Sequence, residues 1–191
     1  MMQNKKLIGI TGGSGCGKSH LSSLLRSRGI PVIDCDIVSR EIMAKGTPCA
    51  KEVVEFFGEE ILENGEINRR KLGRIVFADK EKLKKLNEIT HKYILADIYN
   101  KMEKERSDVI CADGATLIES GINCHLLVGI LADKELRIKR ICERDNLSHE
   151  DAKLRVDAQK DDSFYIENCD FVVYNNSGNI DIDEFIKRIS E

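Results

Sequence analysis

Eight residues constrain this chain more than any others: Gly12-Gly13-Ser14-Gly15-Cys16-Gly17-Lys18-Ser19 places two glycines, a lysine and a hydroxyl at the spacing of a phosphate-binding loop. Glycine lets successive backbone N–H groups turn inward around an anion, and a following helix presents its positive N-terminal end to the same charge. Lys18 is spaced to reach the outer phosphates of a nucleotide, and Ser19 to ligate magnesium. The flanks agree. Leu7-Ile8-Gly9-Ile10 reads as a buried strand, and His20 to Arg28 as a helix with Leu21, Leu24 and Leu25 on one stripe.

Four further apolar runs read as buried strands: Pro31-Val32-Ile33, Val109-Ile110-Cys111-Ala112, Leu126 to Leu131, and Phe171-Val172-Val173-Tyr174. Helical segments separate most of them, so the expected fold is α/β, a five-stranded parallel sheet wound on both faces, with ligands beyond the carboxyl ends of the strands. Residues 37–108 break the rhythm and read as a helical insertion between the two parts of a nucleotide-binding core, 1–36 and 109–191. Within it, Lys51 to Leu62 and Arg69 to Phe77 read as helices on either side of an Asn64-Gly65 turn, with no convincing strand. A long helix is expected from about Lys80 to Arg106, its apolar stripe running from Leu83 to Met102. Glu135 to Arg144, and a second helix opened by the capping signal at Ser148 and carried through Gln159, together suggest a mobile flap over about 135–160.

A chain of 191 residues suits one well-cored domain with a small insertion. A formal net charge of −3 leaves no global basic excess of the kind that non-specific nucleic-acid binding needs, while a local basic patch for a small polyanion stays open. Met1 to Lys6 lead into the first strand without an apolar signal core, and no run approaches a membrane span, so a soluble cytoplasmic protein is expected, with no membrane partner. Seven cysteines without a C-x-x-C pair point to reduced, mostly buried thiols rather than a disulfide framework or zinc site. Cys16 carries a second reading, a thiolate favoured by the adjacent helix N-terminus whose oxidation blocks nucleotide binding.

The candidate chemistry lies at strand ends and helix faces. Asp34 and Asp36 follow Val32-Ile33, on the same side of the chain by strand alternation, where a carboxylate faces the phosphate loop. Two roles compete: accepting a proton from an attacking hydroxyl, or holding magnesium through water. Helix capping is a third role, expected of Asp36 more than of Asp34. Asp113 follows the third strand as a magnesium-organising acid would, or as an ordinary turn aspartate, and Glu119 is a weaker candidate beyond it. Arg137, Arg140 and Arg144 share a helix face; Arg140 and Arg144 suit the charge of a transferring phosphoryl group, whereas Arg137 is expected to pair with neighbouring acids on a solvated face. Asn87 and His91 share another face of the long helix, and His91 alone reads as an exposed helical histidine or a phosphate or hydroxyl ligand.

In this order the landmarks resemble one family. Ile8 to Ser19, Val32-Ile33-Asp34-Cys35-Asp36, Gly65-Glu66-Ile67-Asn68-Arg69-Arg70-Lys71-Leu72, Leu86-Asn87-Glu88-Ile89-Thr90-His91, Arg140 to Asp145, Gln159 and Asn175-Asn176-Ser177-Gly178 are similar to those of dephospho-CoA kinases. The Leu-Asn-x-x-x-His element is far more specific than the phosphate loop alone. The resemblance implies a P-loop kinase core, a helical substrate domain and a lid, with ATP and magnesium as co-substrate and cofactor and dephospho-CoA as acceptor. It further implies that Asp34 activates the ribose 3'-hydroxyl and that Lys18, Arg140 and Arg144 serve the transfer. By the same resemblance Gly12 to His20 and Asn175 hold the nucleotide, Ser19 and Asp113 the metal, and Asp36, Arg40, Asn87, His91 and Glu119 the acceptor. Two departures stand out: Lys92 occupies the position after His91 where the family carries proline, and Ala115-Thr116-Leu117-Ile118-Glu119 replaces a Pro-Leu-Leu-x-Glu run. Without proline at 92 the long helix is expected to continue.

Overall fold

The computed structural model describes residues 5–190; the Met1 to Asn4 lead-in lies outside them. Two compact units emerge among the described residues, one formed by residues 5–33 with 105–190 and the other by Asp34–Lys104.

The first unit is built on strands β1 (Lys6–Thr11), β5 (Val109–Asp113), β6 (Leu126–Leu131) and β7 (Phe171–Tyr174), and β2 (Val32–Asp34) completes a five-stranded sheet in the order β2-β5-β1-β6-β7. β1 pairs in parallel with both β5 and β6, and β6 with β7. The chain leaves β1 towards β2 on one side and leaves β5 towards β6 on the other. The carboxyl ends of β1 and β5 therefore bound a topological switch point, where an open α/β sheet leaves a crevice for ligand. Apolar runs rather than alternation mark these strands because helices cover the sheet. Ile8, Ile10, Val128 and Ile130 pack with Leu21 and Leu25 of α1 (Lys18–Ser27) and with Phe185 and Ile189 of α10 (Ile182–Ser190).

The five expected strands are present, but the helices depart from expectation in places. α3 (Pro48–Phe57) starts earlier than the expected Lys51, because Thr47 caps it through its side-chain oxygen and Pro48 sits where its missing N–H costs nothing. Gly58, at φ 84, ends it, so residues 59–61 form a separate 3-10 turn. The insertion also holds a hairpin that the sequence reading lacked: β3 (Leu62–Glu63) and β4 (Glu66–Ile67) pair antiparallel around Asn64 and Gly65, both with positive φ. Two left-handed residues between paired strands make the turn whose twist matches a hairpin, for which Asn-Gly is the preferred pair. α2 (Cys35–Glu41) and α4 (Arg69–Phe77) flank these elements, and α5 (Lys80–Lys104) runs unbroken through Lys92, which pairs with Glu52.

α7 (Lys134–Asp145) and α8 (His149–Asp157) form the expected helical pair, with Ile138, Ile141, Ala152 and Val156 buried between them. α8 stops at Asp157, so Gln159 lies beyond the helix rather than on it. Short α6 (Leu117–Ser120), α9 (Asp162–Asn168) and α10 were not read from the sequence. Among the described residues no helix is long and apolar enough to cross a membrane.

Candidate active site

The phosphate loop leaves β1 after Thr11 and enters α1 at Lys18. Gly12, Gly15 and Gly17 take φ values of 145, 78 and 101, a backbone that side-chain-bearing residues rarely adopt, and this local curl is what the glycine spacing encodes. Ser19 and His20 stand exposed in the first turn of α1. Lys18 donates from Nζ to the Gly12 carbonyl at 2.6 Å, folding its ammonium back over the loop. Asp113 closes β5 directly across from Ile10 of β1, and its Oδ2 accepts from the Ser22 hydroxyl at 2.7 Å. Glu119 is exposed on α6.

The three arginines of α7 occupy three different environments. Arg140 donates to the Gly15 and Cys16 carbonyls at 3.2 and 3.4 Å and, through Nη2, to the Asn175 carbonyl at 2.9 Å. It thus ties the loop to the segment after β7. Arg144 makes two 2.7 Å contacts with the Asp145 carboxylate, which Arg155 also meets. These bonds, from Arg144 above all, hold Asp145 below the usual carboxylate range, so Arg144 sits in the acid-paired state rather than standing free. Arg137 reverses expectation. It is only 6% exposed, not on a solvated face, and donates to the Ser14 carbonyl at 3.0 Å and to Gln159 Oε1 at 2.7 Å.

Asn175 is 2% exposed; its Nδ2 donates to the Cys16 carbonyl at 3.0 Å, and its Oδ1 is buried without a hydrogen-bond partner among the described residues. Cys16 is 1% exposed within the core cluster, which favours the inert thiol and removes the surface that the oxidation reading needs.

The second unit holds the other candidates. Asp34 closes β2 and caps α2, its Oδ1 accepting from the Asp36 and Ile37 N–H groups at 2.9 and 3.0 Å. Capping thus falls to Asp34 rather than Asp36, because the strand ends one residue before Cys35. For the same reason strand alternation does not govern Asp36, which lies exposed in the first helical turn. Arg40 is exposed in the last turn of α2. On α5 Asn87 is exposed, whereas His91 is half-buried, its Nε2 buried and without a hydrogen-bond partner among the described residues. Arg69, quoted above only within a motif, donates to the Ser39 carbonyl at 3.3 Å. Burial, then the neighbouring Arg40 charge, lowers its pKa, with Asp36 opposing. Its place directly after the Asn68 cap was the one available sequence signal.

A family model for dephospho-CoA kinase matches residues 6–181. The chain belongs to the dephospho-CoA kinase family. Among its relatives, the dephospho-CoA kinase of Listeria monocytogenes serotype 4b is 39% identical over 177 residues, covering 90% of this chain and 88% of the relative. That of Oryza sativa subsp. japonica is 36% identical, covering 97% and 85%. Among solved structures, TT1252 from Thermus thermophilus superposes with a TM-score of 0.83 at 28% identity, covering 98% of this chain and 97% of that one. Dephospho-CoA kinase from Campylobacter jejuni gives 0.65 at 30% identity, covering 98% and 96%. A shikimate kinase from Bacteroides thetaiotaomicron, at 0.54 and 14% identity over 97% and 96%, shares the fold.

Proposed function

We propose that this chain transfers the γ-phosphoryl group of ATP to the ribose 3'-hydroxyl of dephospho-CoA, giving CoA and ADP. The family match across residues 6–181 carries the reading, and the curled loop with Lys18, Ser19 and Asp113 at its switch point supports it. Phosphoryl transfer depends on positioning and charge neutralisation more than on covalent chemistry. On this reading Gly12 to His20 hold the nucleotide phosphates, Lys18 turning from the Gly12 carbonyl to the outer phosphates, while Asn175 borders the base. Arg140 and Arg144 supply positive charge to the transferring group. Asp34 accepts the 3'-hydroxyl proton, and Asp36, Arg40, Asn87, His91 and Glu119 recognise the acceptor, with the Asp34–Lys104 unit as its domain.

Magnesium suits the donor set, since Ser19 and Asp113 offer hard oxygens and the ion takes one or two protein ligands beside substrate phosphates. When bound it neutralises charge on the β- and γ-phosphoryl oxygens.

The direct test is an assay with ATP, magnesium and dephospho-CoA that follows CoA by chromatography; folded protein that forms no CoA while a control kinase does would refute the reading. Asp34→Asn sharpens it. Asparagine caps a helix as well as aspartate does, so the variant keeps α2 while removing the proton acceptor. Turnover should fall at least a hundredfold, with MgATP affinity within about threefold of wild type. Equal loss in both would assign Asp34 a binding role instead.

A further inference from the structure

Where the phosphate loop meets the ends of α7 and α8, four hydrogen bonds converge on one residue pair. Gln159 Oε1 accepts from the Ser14 N–H at 2.9 Å and from Arg137 Nη2 at 2.7 Å. Gln159 Nε2 donates to the Ser14 hydroxyl at 2.9 Å, and Arg137 Nε donates to the Ser14 carbonyl at 3.0 Å. Every polar group of Ser14 is thereby engaged from outside the loop.

A glycine that the phosphate-binding spacing leaves open gives an independent sign of the same contact. That spacing requires Gly12 and Gly17, not a glycine at 13, and Gly13 does not have positive φ. A Cβ at Gly13 would instead collide with the Arg137 guanidinium and lie 2.9 Å from Gln159 Oε1. Gly13 is therefore glycine because the two side chains occupy the space beside it. Arg137 is buried, and a buried guanidinium without acceptors is strongly disfavoured, so it and Gln159 hold each other in place as they hold Ser14.

We propose that Arg137 and Gln159 form a positioning clasp that fixes the Ser14 peptide and so pre-forms the phosphate loop, setting nucleotide affinity without touching the nucleotide. The clasp acts on the donor side alone. Preorganised donors spare the ligand the cost of ordering the loop, so loosening them weakens phosphate binding while the acceptor site is unchanged. This deepens the kinase reading above but does not need its acceptor to be right, because nucleotide binding is measured without acceptor.

Three variants of the full chain test the clasp. Gln159→Met keeps the length of the side chain at a half-buried position and removes three of the four bonds. Gln159→Glu keeps the acceptor for Ser14 N–H and for Arg137, and Ser14 can donate its hydroxyl to the new carboxylate. Gly13→Ala displaces the pair from the loop side. By calorimetric titration with MgATP, Gln159→Met and Gly13→Ala should each raise Kd tenfold or more, and Gln159→Glu should return it to within about threefold of wild type, a tenfold change being about 1.4 kcal/mol. The KM for dephospho-CoA should stay within twofold. An unchanged MgATP Kd in folded Gln159→Met overturns the proposal. So does a parallel rise in the KM for dephospho-CoA accompanied by a lowered Tm, which would mark a general structural role. Absence of CoA formation by wild type would refute the acceptor reading and leave the calorimetric comparison standing.

Discussion

Gly17 shows how much one residue of this loop carries. It precedes the first residue of α1 at φ 101, and a Cβ there would overlap the Asn175 amide, whose Nδ2 donates to the Cys16 carbonyl. Alanine would have to adopt left-handed backbone and push the Asn175 amide off the Cys16 carbonyl. Together these cost roughly 2–5 kcal/mol, from left-handed strain and from a buried amide left unsatisfied. Gly17→Ala should accordingly shift the urea midpoint down with an unchanged slope and weaken MgATP binding; a midpoint equal to wild type would show that the loop relaxes around the methyl group. The glycine spacing was legible in the sequence because it reports a local backbone requirement. Arg137 was not. Its neighbours Glu135, Glu143 and Asp145 made ion pairing the natural expectation, and only the packing of α7 against a loop more than a hundred residues away in the chain brings its guanidinium to Ser14.

At the level of elements, the α7–α8 pair separates two sources of cohesion. Ile138, Ile141, Ala152 and Val156 make an apolar seam, whereas Arg144, Asp145 and Arg155 join the pair from outside with side chains that remain partly exposed. Exposed ion pairs contribute roughly 0–1 kcal/mol, while removing a buried isoleucine down to alanine costs about 2–5 kcal/mol. Ile141→Ala should therefore lower the Tm by many degrees, and Arg144→Ala by no more than a degree or two. If Arg144→Ala were as damaging to the Tm as Ile141→Ala, the ion pair rather than the seam would hold the two helices together. Element type was readable wherever the apolar pattern was strong, as unbroken apolar runs in the five strands of the sheet and as a helical segment in α4, whose expected and observed spans coincide. Boundaries and short pieces were less so: the Asn64-Gly65 turn was visible, but strands of two residues carry no alternation to read. The end of α8 was missed because Gln159 has helix-compatible chemistry, and it leaves the helix for the partners described above.

Across the whole molecule the buried thiols tie stability to alkaline pH. Burial, assisted by Asp113, pushes Cys111 up to about 12, and burial with the Asp170 charge pushes Cys124 and Cys169 to about 11, against an ordinary value of 9.0. Cys49 is raised to about 11 by burial and Glu52. Between pH 9 and these values the unfolded chain has lost thiol protons that the folded chain keeps, so the folded state binds more protons and stability falls as pH rises. Below pH 9 both states hold their thiol protons and the contribution is complete. Cys111 is fully buried between β-strand neighbours, and a group of this kind steepens the loss by at most about 1.4 kcal/mol per pH unit. Melting curves from pH 8 to 10.5 should show Tm declining above pH 9, beyond what lysine and tyrosine deprotonation give. A Cys111→Ala, Cys124→Ala variant separates the contributions: less stable at pH 8 because of the small cavities it creates, it should lose Tm more slowly than wild type above pH 9, so the two profiles converge. Parallel profiles would show that these thiols ionise in the folded chain as readily as in the unfolded one, and that the alkaline limit of this protein is set elsewhere.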